Sequence, residues 1–196
     1  MKRAAFIAAM GALVGCSSTL PPPGWQKGGA VLWVPTAAWR VSWLNVDLAQ
    51  DGSVYMNGTL SFQIDAVGRV IDANGDPVAL LQPDGKLIGT MGEDMGSVGP
   101  TTAAESGSAY ATLAILPSGE VVHFEGGPQT TSRGGWTGCG VYAPSLQACM
   151  LVTHLISTRF PPRAPNTGVP PYVNRGLSGP WIGPTTPGLG FGLSPW

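Results

Sequence analysis

The chain has 196 residues, of which 29 are Gly and 19 are Pro, while only 11% are charged. That density of helix breakers excludes long helical bundles and coiled coils. A formal net charge of −1 with 43% hydrophobic residues argues against a charge-driven disordered chain and against nucleic-acid binding by phosphate neutralisation.

Lys2 and Arg3 precede an uncharged apolar run from Ala4 to Val14. As a helix, such a run is about 16 Å long, half the thickness of a bilayer core, so it reads as a secretory signal and not as a spanning anchor. It ends on Leu13-Val14-Gly15-Cys16. These four residues resemble the lipobox of bacterial lipoproteins, and the resemblance covers only residues 1 to about 20. It implies cleavage before Cys16, a diacylglyceryl group and further acylation at that residue, and attachment to a membrane by lipid. Two or three acyl chains give durable binding where one does not. Ser17 after the cysteine, where Asp would retain such a protein in the inner membrane, implies an outer-membrane destination. Residues 1–15 are thus expected to be a signal peptide and 16–24, with Pro21-Pro22-Pro23, a semi-rigid tether.

The middle of the chain repeats. Gly68-Arg69-Val70-Ile71, Gly85-Lys86-Leu87-Ile88 and Gly119-Glu120-Val121-Val122 each continue through three residues to Gly75, Gly92 and Gly126, with a degenerate copy beginning at Gly52. Asp51-Gly52, Asn57-Gly58, Asn74-Gly75 and Asp84-Gly85 are turn pairs that accept positive φ. Between them Leu60, Phe62 and Ile64 alternate with polar residues, as on a half-buried strand, and Ala109, Ala111, Leu113 and Ile115 read as a second strand face. Residues 25–127 are therefore expected to form a mainly β domain, an antiparallel meander, roll or open barrel of short strands. A solenoid is the second option, weakened because Thr101 to Gly107 interrupt the period. Glycine-punctuated repeats of this kind are loosely similar to those of uncharacterised exported bacterial proteins, and carry no activity across.

Pro144 and Ser145 open a stretch, Leu146 to Arg159, without Gly or Pro. Leu146, Cys149, Met150, Thr153 and Ile156 recur at helical spacing, which predicts one helix laid over a face of the sheet, within a segment 128–160. Cys139 and Cys149 lie ten apart in a chain read as exported, which favours a disulfide; zinc ligation and two free thiols are the alternatives. Residues 161–196 contain nine Pro and seven Gly and are expected to be an irregular tail.

Candidate chemistry is thin. Trp25, Trp33, Trp39 and Trp43 fall within nineteen residues, which is compatible with an aromatic platform for glycan or peptidoglycan, or with a core cluster. His123 and His154 are the only histidines, so a hydrolase would need one of them beside a carboxylate and a hydroxyl. Asp72-x-Asn74-Gly75-Asp76 imitates the start of a calcium loop, yet Pro77 and Pro83 occupy the places of the required Gly and Glu. No metal and no cofactor is implied. The expectation is a lipid-anchored envelope lipoprotein with a non-catalytic structural or adaptor role, its partners the membrane and an envelope protein or glycan. A glycan-binding module is the alternative, and a hydrolase the third reading.

Overall fold

The computed structural model describes residues 19–125 and 130–160. The signal segment, Cys16 and the tail 161–196 lie outside the described residues. Twelve strands follow in chain order: β1 (Ala37–Val41), β2 (Leu44–Leu48), β3 (Ser53–Met56), β4 (Thr59–Ile64), β5 (Arg69–Asp72), β6 (Pro77–Leu81), β7 (Lys86–Gly89), β8 (Asp94–Val98), β9 (Thr102–Ala104), β10 (Leu113–Ile115), β11 (Glu120–Phe124) and β12 (Thr130–Thr137). Helix α1 (Ala143–Thr158) is the last element of the described residues. Each strand pairs antiparallel with the next, and β1 pairs with β12, so the meander closes into a barrel.

Each sequence repeat is one hairpin plus a turn to the next hairpin, and successive turns alternate between the two ends of the barrel. The glycines at the two ends are required for different reasons. At Gly52, which has φ of +88°, a Cβ would also fall 1.8 Å from the carbonyl oxygen of Ile64. At Gly58 nothing lies within 4 Å of that position, and only the φ of +80° selects glycine. The suspected calcium loop is a turn of this kind, since the Asp72 carboxylate accepts the N–H groups of Asn74 and Asp76 at 2.8 and 3.0 Å.

The alternation seen at Leu60, Phe62 and Ile64 sends Phe62 and Ile64 inward. Val46, Val54, Val70, Leu87, Val98 and Val121 are likewise fully or almost fully buried in one core. Arg40, Asn45, Lys86, Ser97 and Thr102 stand exposed on the other face. An apolar inside and a polar outside is the reverse of a lipid-facing barrel, and strands of three to eight residues fall short of the nine to eleven, roughly, that a bilayer requires. Among the described residues no helix is long and apolar enough to cross a membrane.

Twelve strands enclose more space than the side chains of their own walls can fill; an eight-stranded barrel is about the limit for that. Here α1 fills it. Every residue from Ala148 to Ile156 is buried, and a helix that is apolar all round has to be enclosed on every side. Its contacts reach around the lumen: Gln147 Nε2 donates to Val98 O on β8 at 2.8 Å, Trp136 Nε1 on β12 donates to Thr153 Oγ1 at 2.8 Å, and Phe160, just beyond the helix, stacks on Phe62 of β4 at 4.6 Å. The expected helix over one face of the sheet is therefore corrected to a helix inside the barrel. Its start moves back to Ala143, with Pro144 in the first turn, where a missing N–H costs nothing.

Three other expectations change. The last strand, β12, lies in the segment read as disulfide loop and helix; of its eight residues Thr-Thr-Ser-Arg-Gly-Gly-Trp-Thr, only Trp136 is buried, so no alternation marks it. Residues 109–112 are not strand, and β10 retains only Leu113–Ile115, all three buried. Residues 22–24, expected to belong to a tether, instead dock on the barrel. Pro22 is buried, its carbonyl accepts the Trp25 N–H at 3.1 Å, and the Arg69 guanidinium lies 5.7 Å from the centre of the Trp25 ring.

Candidate functional site

The end of α1 leaves the mouth of the barrel partly open. A cavity of about 270 Å³ remains there, lined by Trp39, Val41, Trp43 and Leu44 from the first hairpin, Leu113 and His123 from β10 and β11, Arg133 from β12, Ile156 and Ser157 from the helix, and Glu105. A larger cavity at the opposite end, beside Cys139, is lined by no ionisable side chain. Among the described residues the mouth combines aromatic rings with an acid, a base and a hydroxyl, the usual make-up of a small-ligand site.

Local structure explains how each residue arrives. Trp39 points inward from β1, is 4% exposed, stacks on Trp136 at 5.9 Å, and donates from Nε1 to the Arg133 carbonyl at 2.8 Å. Trp43 sits in the two-residue turn between β1 and β2 and is 50% exposed. Arg133 reaches the mouth through a bulge. Val122 pairs with Ser132 and Glu120 with Gly135, so one residue of β11 faces two of β12. Gly134 absorbs the irregularity at φ +77°, with its Cα so close to the Arg40 carbonyl that a Cβ would lie 2.0 Å from it. Bulges commonly redirect a neighbouring side chain in this way.

The four tryptophans, expected as either an aromatic platform or a core cluster, are not brought together. Trp33 stacks on Tyr142 at 6.1 Å, and its backbone N–H donates to the carbonyl of Pro144, at the start of α1. Trp43 lies with Ile156 and Ser157 at the other end, twelve residues or about 18 Å along the helix. Trp25 is on the outside with Arg69. Only Trp39 and Trp43 share a cavity. Arg133, Glu105 and Ser157 were not read as site residues, and the only signal for the first is the Ser132-Arg133-Gly134-Gly135 bulge.

Among the described residues neither histidine is hydrogen-bonded to a hydroxyl, although His123 lines the mouth with Glu105 and Ser157. His123 Nδ1 is buried and, among the described residues, has no hydrogen-bond partner. His154 is fully buried inside the barrel, its Nε2 2.8 Å from the Met95 carbonyl. A carbonyl can only accept, so Nε2 carries the proton and Nδ1 is an unpartnered lone pair. Burial pushes the His154 pKa below its ordinary value, against smaller upward influences from the Met95 hydrogen bond and Glu105. The unfolded chain, with an ordinary histidine near pH 6.5, then binds more protons than the folded one in acid. Stability is expected to be complete above about pH 6.5 and to fall as pH drops through the depressed folded value. Urea titrations from pH 7.5 to 5 check this, and His154→Gln is expected to flatten the slope across that range. An equal slope in the variant would place the acid sensitivity elsewhere.

Cys139 and Cys149 are joined in a disulfide with Cα atoms 6.2 Å apart, both residues buried. The bond ties the loop after β12 to the second turn of α1. Among the described residues no group of three or more His, Cys, Asp or Glu could hold a metal.

The fold and its mouth define a closed antiparallel barrel filled by its own helix α1, with a small mixed-polarity cavity at the helix end. Comparison with family models, with curated proteins and with solved structures finds no match to this chain.

Proposed function

We propose that this chain is an envelope lipoprotein, held to a membrane by lipid on Cys16, whose helix-filled barrel is a non-catalytic structural or adaptor body. The observation that carries this reading is the buried Cys139–Cys149 disulfide at the root of the internal helix, since such a bond persists in an oxidising compartment and is rare in the cytosol. It agrees with the signal-like residues 1–15 and the lipobox-like Leu13-Val14-Gly15-Cys16. The polar outer wall also supports attachment by lipid and not by the barrel itself. Fractionation and mass spectrometry test it. The mature chain is expected in the membrane fraction, beginning at Cys16 with the mass of a diacylglyceryl adduct, and Cys16→Ser is expected to abolish that adduct. An unmodified Cys16 in the wild-type membrane fraction would remove the anchor.

A second reading, a glycan-binding module, is favoured by one observation: Trp39 and the half-exposed Trp43 share the mouth cavity with Arg133, His123, Glu105 and Ser157. An aromatic face with polar groups around it suits a sugar ring, whose C–H face stacks while its hydroxyls need donors and acceptors.

A further inference from the structure

We infer that the mouth cavity takes a sugar carrying a carboxylate, with Arg133 as the carboxylate-binding residue and Trp43 as the stacking face; this rests on the glycan-binding reading above. Arg133 belongs to no ion pair among the described residues, although Glu105 lines the same cavity. The only two ion pairs there are Arg40 with Asp47 and Arg69 with Asp65, both on the outer wall. A guanidinium left without a carboxylate, beside an apolar wall, matches a ligand that brings its own, because the planar fork holds a carboxylate through two parallel hydrogen bonds.

The backbone of the site is held firmly in place. The Arg133 carbonyl is held by Trp39 Nε1, and the bulge beside it requires a left-handed Gly134 against the Arg40 carbonyl. That combination fixes where the Arg133 side chain starts. The other lining groups suit the rest of a sugar: Glu105 can accept and Ser157 can both donate and accept from hydroxyls. A volume of about 270 Å³ lies just below the usual range of ligand cavities, about 300–1,000 Å³, and fits one ring, not an extended chain.

Isothermal titration of the full, detergent-solubilised chain with N-acetylmuramic acid and with N-acetylglucosamine tests this, the second sugar lacking the lactyl carboxylate of the first. The acid is expected to bind about tenfold tighter or more, a gap of about 1.4 kcal/mol. Arg133→Gln is expected to erase the gap, Arg133→Lys to recover part of it, and Trp43→Ala to weaken both sugars alike. Equal affinity for both sugars would overturn the carboxylate assignment and leave the glycan reading standing. Lactate binding as tightly as N-acetylmuramic acid would overturn the sugar. No heat with either sugar at millimolar concentration would remove this inference together with the glycan reading, and would leave the lipid anchor untouched.

Discussion

Replacing both Cys139 and Cys149 by Ala is expected to lower the free energy of unfolding by about 3 kcal/mol, read as a lower urea midpoint against the oxidised wild type. The ring they close is short, with a sequence separation of 10, and in the chain-entropy model a loop near that size contributes about that much by restricting the unfolded chain. The location adds a second effect. Cys149 is fully buried on the helix and Cys139 lies just beyond β12, so the bond fixes where the internal helix enters the barrel relative to the strand that closes it. Wild-type protein unfolded in reductant is expected to match the double variant. A difference below about 0.5 kcal/mol, a surface-mutation magnitude, would mean that the pair does not constrain the fold.

The second large effect concerns the contact between wall and helix. Trp136 is 4% exposed, lies against Trp39, and hydrogen-bonds to Thr153 on the helix. Trp136→Ala is expected to cost about 3–5 kcal/mol, because a large ring is lost from a site whose neighbours belong to a closed barrel and cannot collapse freely. Trp136→Phe separates the parts. The phenyl ring retains most of the stacking with Trp39, while the indole donor is gone. Thr153 Oγ1 still donates to the Cys149 carbonyl at 2.8 Å, so only one acceptor loses its partner, and about 1 kcal/mol is expected. Near-ultraviolet circular dichroism reports the loss of the Trp39–Trp136 pair in both variants. If Trp136→Ala costs no more than Trp136→Phe, the indole is not wedged between wall and helix.

Much of the barrel was legible because each hairpin is written locally. Asp-Gly and Asn-Gly pairs specify turns through φ, and the inward Phe62 and Ile64 are spaced by the two-residue period of a strand. Closure was not legible. It depends on β12 pairing with β1 across almost a hundred residues, as in Trp39 opposite Trp136, and β12 carries too little apolar alternation to announce itself. The helix was visible from the absence of Gly and Pro after Pro144, but its environment was misread. Leu146, Cys149, Met150, Thr153 and Ile156 form an acceptable stripe, while the decisive feature is the uncharged run Ala148 to Ile156, which leaves no face for water.

The mouth cavity was less legible still. Clustering in sequence placed four tryptophans together, and the fold sends Trp33 to one end of the barrel and Trp43 to the other, because the chain passes along β1 between them. The residues that join Trp43 come from Glu105, His123, Arg133 and Ser157, separated by tens of positions. A bulge, not a motif, delivers the arginine.

Occupation of the lumen by α1 leaves ligands only the ends of the barrel and makes the outer wall the face for water. Native-state hydrogen exchange of the oxidised chain tests it most directly. The amides from Cys149 to Leu155 are expected to exchange only through global unfolding, with protection equal to that of Val54, Phe62 and Val121 in the wall. Exchange of those helix amides through a local opening, orders of magnitude faster than the wall strands, would contradict an enclosed helix.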